Sequence, residues 1–253
     1  MNRINSRLAE NKKILSIYFT AGYPTLTDTV PIIQELEKCG VDMIEIGLPF
    51  SDPLADGPTI QDSSTIALAN GMTTALLFEQ LKNIRESVQI PLLLMAYFNP
   101  IYQYGIEAFC KQCNAIGIDG LILPDLPLKE YQTHYKAIFE SNNLKNIFLL
   151  TPQTSVDRIH EIDLITDSFI YMVSSSTVTG KSEGFGEKEK EYFKRISDLH
   201  LKNPQIIGFG INSKETFNEA IQYQKGAIIG SAFIQFIREN QINQIKNFIN
   251  TIL

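Results

Sequence analysis

Eight short runs of apolar, often β-branched residues recur along the chain. They are ILSIYFT (14–20), DMIEIG (42–47), LLLMAYF (92–98), DGLILP (119–124), NIFLLT (146–151), FIYMVS (169–174), QIIGFG (205–210) and GAIIG (226–230). Between them lie amphipathic stretches of helical period, such as TLTDTVPIIQELEKCG, TTALLFEQLKNIRESV, IEAFCKQCNAIG and LKEYQTHYKAIFESNN. Thr27 or Asp28 is placed to cap the first of these helices, and Gly40 to stop it. Strands that alternate with helices build a parallel sheet from βαβ units. Eight of them in 253 residues match a closed (β/α)8 TIM barrel in count and size. The open doubly wound sheet shares the alternation but normally carries G-x-G-x-x-G after its first strand, and FTAGYPT does not fit. No Ser/Gly tract, proline-rich spacer or long charge block marks a linker, so residues 1–253 read as one barrel domain with an extra N-terminal helix.

Composition narrows the partners. Net charge is −6 with the basic residues scattered, whereas a nucleic-acid binder concentrates Lys and Arg on one face. No apolar run approaches the roughly 20 residues of a membrane span, and MNRINSRLAENKK lacks the apolar centre of a signal peptide. A cytoplasmic protein that binds neither nucleic acid nor membrane is expected. Cys110 and Cys113 form a C-x-x-C, but the run around them has a helical period that puts both on one face. No second Cys/His pair follows at zinc-ligand spacing, and His134, His160 and His200 are isolated, so no metal site is expected.

In a barrel of this kind the chemistry sits where strands end and the following loops begin. The run DMIEIG carries Glu45 in its middle. Side chains alternate along a strand, so Met43 and Glu45 share one face while Ile44 and Ile46 share the other. Both faces of a barrel strand are largely dry, and a lone carboxylate there is costly unless it is partnered, protonated or functional. A neighbouring Lys or Arg neutralising it for structure alone is the competing reading. The loop LPFSDPLADGP follows, stiffened by Pro49, Pro53 and Pro58. Asp52 and Asp56 in it are good turn formers. The chain between Glu45 and Asp56 is long enough to fold back and bring both carboxylates over the barrel mouth.

The stretch IEIGLPFSDPLADG (44–57) resembles the signature of the tryptophan synthase alpha chain family at every position. FTAGYP (19–24), GPTIQ (57–61), YFNPI (97–101), VTG (178–180), GFGI (208–211) and GSAF (230–233) follow in the order expected of that family, so the likeness spans essentially the whole chain. The resemblance implies a lyase of tryptophan (aromatic amino acid) biosynthesis. It cleaves indole-3-glycerol phosphate to indole and glyceraldehyde 3-phosphate by a retro-aldol step. Glu45 aligns with the family's acid–base glutamate and Asp56 with its second catalytic carboxylate. One carboxyl that changes protonation state can protonate the indole ring and later take the side-chain hydroxyl proton, and burial suits a glutamate to that use. The second carboxylate accepts the indole N–H and stabilises positive charge on the ring. These tasks call for one drier and one more polar environment, as strand and loop would provide.

Further site residues follow from the same likeness. Tyr18 occupies a position that is aromatic in the family and lines the indole pocket; Tyr171, in register with Phe169 and Val173, aligns with a tyrosine near the substrate. For the phosphate, Gly210 closes the seventh strand, Gly230 and Ser231 close the eighth, and Gly180 is added from the family match. Thr179 matches a threonine that helps a lid close over Asp56, within the polar segment SSSTVTGKSEGFGEKEKEYF. The family carries glycine before this Val-Thr-Gly; here Thr177 stands there, a departure that bears on the lid's backbone path.

Partner and cofactor also come from the resemblance. It implies a beta subunit in an alpha2beta2 complex that receives indole through a tunnel, with pyridoxal phosphate on the beta chain and no cofactor in this one. The Asp52–Pro53 loop and YFNPI are the surfaces expected at that interface. Two alternatives stay open here. One is another phosphate-binding barrel lyase, although Lys145 and Lys181 fall before strand five and in the lid, poorly placed for a Schiff base. The other is a catalytically weak regulatory subunit that only activates its beta partner.

Overall fold

The computed structural model describes residues 2–53, 56–174 and 184–253. Eight parallel strands, β1 (Ile14–Thr20), β2 (Met43–Gly47), β3 (Leu92–Met95), β4 (Gly120–Ile122), β5 (Lys145–Leu150), β6 (Ile170–Val173), β7 (Gln205–Gly208) and β8 (Gly226–Ile229), pair in sequence order. The ring closes where β8 pairs with β1, Ile14 lying opposite Gly226. This is the (β/α)8 barrel that the alternation predicts, with β1 in the predicted bounds.

Period two sorts the strand residues into two cores. Ile17, Phe19, Ile44 and Ile46 point outward into the large cluster shared with the surrounding helices. Ile14, Met43, Leu93, Ile122, Ile147, Phe169, Ile206 and Ile228 fill the barrel itself. Helix Arg3–Ala9, the expected extra N-terminal helix, plugs the bottom of that interior with fully buried Ile4. Asp119 anchors the plug. It accepts from Arg3 at 3.1 Å, from Arg85 at 2.6 Å and from the Leu92 N–H at 3.0 Å. With the lower end filled, the open end of the barrel is the one where the strands finish.

Several boundaries differ from the sequence reading. The run 92–98 leaves the sheet after Met95, because Tyr97 begins the helix Phe98–Tyr104 and Asp125 accepts the Phe98 N–H at 2.9 Å. Asp28 does stand at the N-cap of helix Thr29–Lys38, but its carboxylate accepts from the Thr25 N–H instead of the helix. Gly40 has φ 85° and ends that helix region as expected. The stretch 128–141 is not one regular helix; a π-turn at Tyr131–Tyr135 interrupts it. Lys145 opens β5 instead of preceding it, and pairs with Asp167. Cys110 and Cys113 lie buried in helix Ile106–Ile116, and burial pushes the Cys110 thiol up to about 12, so it stays an apolar packing group. Among the described residues no helix is long and apolar enough to cross a membrane.

Candidate active site

β2 delivers Glu45 to the barrel interior near the open end, opposite Tyr18 of β1 and Leu93 of β3. Its side chain is fully buried, and burial pushes its carboxyl from 4.5 up to about 8. The one opposing influence is a hydrogen bond: the Ser16 hydroxyl donates to Glu45 Oε1 at 2.9 Å. Oε2 is buried and has no hydrogen-bond partner among the described residues. No Lys or Arg pairs with Glu45 among those residues, so the competing reading of a structural ion pair finds no support. The dry wall thus favours the protonated form of this carboxyl.

Asp56 reaches the same mouth from the loop after β2. Gly57 and Pro58 start helix Pro58–Ala69, whose Gln61 side chain donates back to the Asp56 carbonyl at 2.9 Å and fixes the end of the loop. The Tyr97 hydroxyl donates to Asp56 Oδ2 at 3.2 Å, and the Tyr97 ring stacks on Phe50 at 5.2 Å. Burial raises the Asp56 carboxyl too, and the Tyr97 hydrogen bond opposes it. The contrast expected between a dry and a polar carboxylate is therefore one of degree. Tyr97 is a site residue that the sequence reading missed. Within YFNPI, Asn99 and the adjoining Tyr102 are exposed, but Tyr97 and Ile101 turn inward, so only part of that region can serve as an outer surface. Asp52 is exposed, and the Ser51 hydroxyl donates to it.

Two phenols complete the wall. Tyr18 and Tyr171 both feel the charges of Glu45 and Asp56, which places the four predicted residues in one electrostatic neighbourhood. Burial and those carboxylates push both phenols above their usual range, so both stay neutral donors. Room for them comes from glycine. A Cβ on Gly47 would collide with the Tyr18 hydroxyl, and one on Gly208 with the Tyr171 hydroxyl and ring. Gly208→Ala is expected to overpack the barrel and destabilise the chain by about 1–3 kcal/mol. Denaturant melting checks this; a Gly208→Ala chain with unaltered stability would show that the ring moves freely.

The strand ends β7 and β8 lie beyond this pair. Gly210 has φ 75°, a left-handed conformation suited to glycine, but Phe209 before it also has φ 69°. That conformation is uncommon for a bulky residue and costs on the order of 1–3 kcal/mol. The Ser174 hydroxyl donates to the Phe209 carbonyl at 2.8 Å, and the Phe209 ring meets Tyr171 edge-on at 6.4 Å. Gly230 precedes helix Ser231–Glu239, and a Cβ there would sit 3.4 Å from the Tyr18 ring. The first-turn amides of that helix, from Ser231 onward, lack intrahelical acceptors and suit an anion. Thr179 and Gly180, with Thr177 and Lys181, lie outside the described residues.

Comparison with known proteins identifies the family and the fold. The family model described as tryptophan synthase alpha chain matches residues 4–252. A tryptophan synthase alpha chain of Flavobacterium psychrophilum is 68% identical over 252 residues, covering 100% of both chains. That of Bacteroides thetaiotaomicron is 55% identical over 242 residues, 95% of this chain and 94% of the relative. Among solved structures, the tryptophan synthase alpha chain of Legionella pneumophila superposes with TM-score 0.89 at 31% identity, covering 100% of this chain and 96% of that one. A chain of tryptophan synthase from M. tuberculosis, in its aminoacrylate-bound form, gives 0.87 at 27% identity, covering 100% and 98%. From Arg3–Ala9 at the barrel's base to the carboxylates at its mouth, the chain belongs to the tryptophan synthase alpha chain family.

Proposed function

We propose that Glu45 and Asp56 carry the family's reaction in this chain, the cleavage of indole-3-glycerol phosphate to indole and glyceraldehyde 3-phosphate. The supporting observation is Glu45 itself, a fully buried carboxyl with a midpoint of about 8 facing the open end of the barrel. Neutral Glu45 gives its proton to the indole carbon that bears the glycerol chain, leaving a cationic ring and a carboxylate. Asp56 accepts the ring N–H and stabilises that cation. The carboxylate then takes the proton of the adjacent side-chain hydroxyl. The O–H electron pair forms the aldehyde, the carbon–carbon pair returns to the ring, and Glu45 ends protonated as it began. Tyr18 and Tyr171 wall the indole; Gly210, Gly230 and Ser231 hold the phosphate, with Gly180 contributing and Thr179 closing over Asp56.

Every step in this reading runs through side chains of this chain. A beta subunit carrying pyridoxal phosphate, in an alpha2beta2 assembly, takes the indole for tryptophan synthesis. Exposed Asp52 and the outer residues of YFNPI suit the contact with it. Residues 1–253 act as one barrel domain, in the cytoplasm. The test is to incubate the purified chain with indole-3-glycerol phosphate, with and without a beta subunit, and measure indole. Release that is enhanced by the beta subunit is expected; no indole in either condition would sink the reading.

A further inference from the structure

Ser16 is the polar residue in an otherwise apolar stretch of barrel wall. It lies fully buried on the inner face of β1, opposite Met43 of β2 and Ile228 of β8 and two residues from Ile14. A hydroxyl in such a place costs stability unless it is hydrogen-bonded. Its side-chain partner among the described residues is Glu45 Oε1, at 2.9 Å. The other carboxyl oxygen, Oε2, is as deeply buried and has no partner among those residues. The two oxygens of one carboxyl are thus made chemically unequal by one serine.

We infer that Ser16 is a positioning residue for the acid–base step: its hydroxyl holds Oε1 in both protonation states and leaves Oε2 to exchange the proton with substrate. A hydroxyl serves both states with one geometry. It donates to a carboxylate oxygen, and equally to the carbonyl oxygen of the neutral acid whose proton sits on Oε2. The bond is stronger to the charged form, so Ser16 eases the ionisation that dry surroundings resist. Without it, neither Glu45 oxygen has a hydrogen-bond partner among the described residues. The inference rests on the reading of Glu45 as the acid–base residue.

Other groups that face Glu45 are accounted for. Tyr18 on β1 and Tyr171 on β6 are neutral phenols, Asp56 on the loop after β2 shares their neighbourhood, and Leu93 on β3 is apolar. None of them changes in a Ser16 variant, so a moved midpoint reports the lost donor. The experiment is a carboxyl-carbon NMR titration of chain labelled with carbon-13 glutamate, the Glu45 signal being identified by its absence from Glu45→Gln. In Ser16→Ala the midpoint is expected to rise by about one pH unit, a tenfold change in the ionisation constant. In Ser16→Cys, which keeps the side-chain shape with a weaker S–H donor, the rise is expected to be smaller. The alkaline limb of kcat/KM for cleavage should move with the midpoint.

A purely structural serine would alter the melting temperature and leave the midpoint where it is. An unmoved midpoint in folded Ser16→Ala, or in Ser16→Cys if the alanine variant does not fold, overturns the inference. The two failures are separable. Full turnover by Glu45→Gln would remove Glu45 from the chemistry, whereas an inactive Glu45→Gln beside an unmoved Ser16 variant removes only Ser16.

Discussion

Glu45→Gln is expected to lose turnover by about three orders of magnitude while making the chain more stable at and above neutral pH. The loss follows from asking one group to act first as acid and then as base, each role being worth about 10²–10⁴. The stability gain follows from linkage. Folded Glu45 titrates at about 8 against 4.5 for an unburied carboxyl, so the native state holds this proton more tightly than the unfolded one. Below 4.5 both states are protonated and the group imposes no penalty. As pH rises from there toward 8 the unfolded chain ionises and the folded chain resists, and stability falls by on the order of 1.4 kcal/mol per pH unit. Glutamine keeps the shape and can still accept from Ser16, but it never ionises. Urea melts should show little difference between variant and wild type near pH 4.5 and a growing advantage for the variant toward pH 8. Parallel curves at all pH values would mean that Glu45 is not desolvated as described.

Asp56→Asn is the second large effect. The substitution removes the charge proposed to stabilise the ring cation but keeps an oxygen able to accept from Tyr97, whose ring stacks on Phe50. Loss of one preorganised electrostatic contact of this kind costs about 10²–10³ in kcat. Because the ring is uncharged in the bound substrate and cationic only on the way to the transition state, KM should change little. Steady-state kinetics with the beta subunit present separate the two cases. A raised KM with kcat intact would make Asp56 a substrate-binding group only.

The barrel was legible because its signal is repetitive: eight β-branched runs of the right length, each followed by a helical period. Strand starts were read more accurately than strand ends. At β3 and β7 apolar residues continue past the last strand residue, since Ala96, Tyr97 and Phe209 face the site or pack beside it and keep the run hydrophobic. That is also why Tyr97 was missed. It counted as strand or surface by pattern, and only the turn into helix Phe98–Tyr104 aims its hydroxyl at Asp56. Glu45 stood out because a charge in an apolar run is costly. Ser16 gave a fainter form of the same signal, a hydroxyl in ILSIYFT, and pairing β1 with β2 is what puts it beside the glutamate. The positive φ of Phe209 has no sequence signature beyond its two flanking glycines.

The central claim is that a neutral, buried Glu45 starts the reaction, and the pH dependence of kcat/KM for indole-3-glycerol phosphate cleavage tests it most directly. That ratio reports the ionisations of the free enzyme. In the complex with its beta subunit, the wild-type chain should lose kcat/KM tenfold per pH unit above a midpoint near 8, as Glu45 gives up the proton it must deliver. A profile that stays flat through that region, or one that falls away from a midpoint near 4.5, would mean that Glu45 is already ionised in the resting enzyme and would contradict the account.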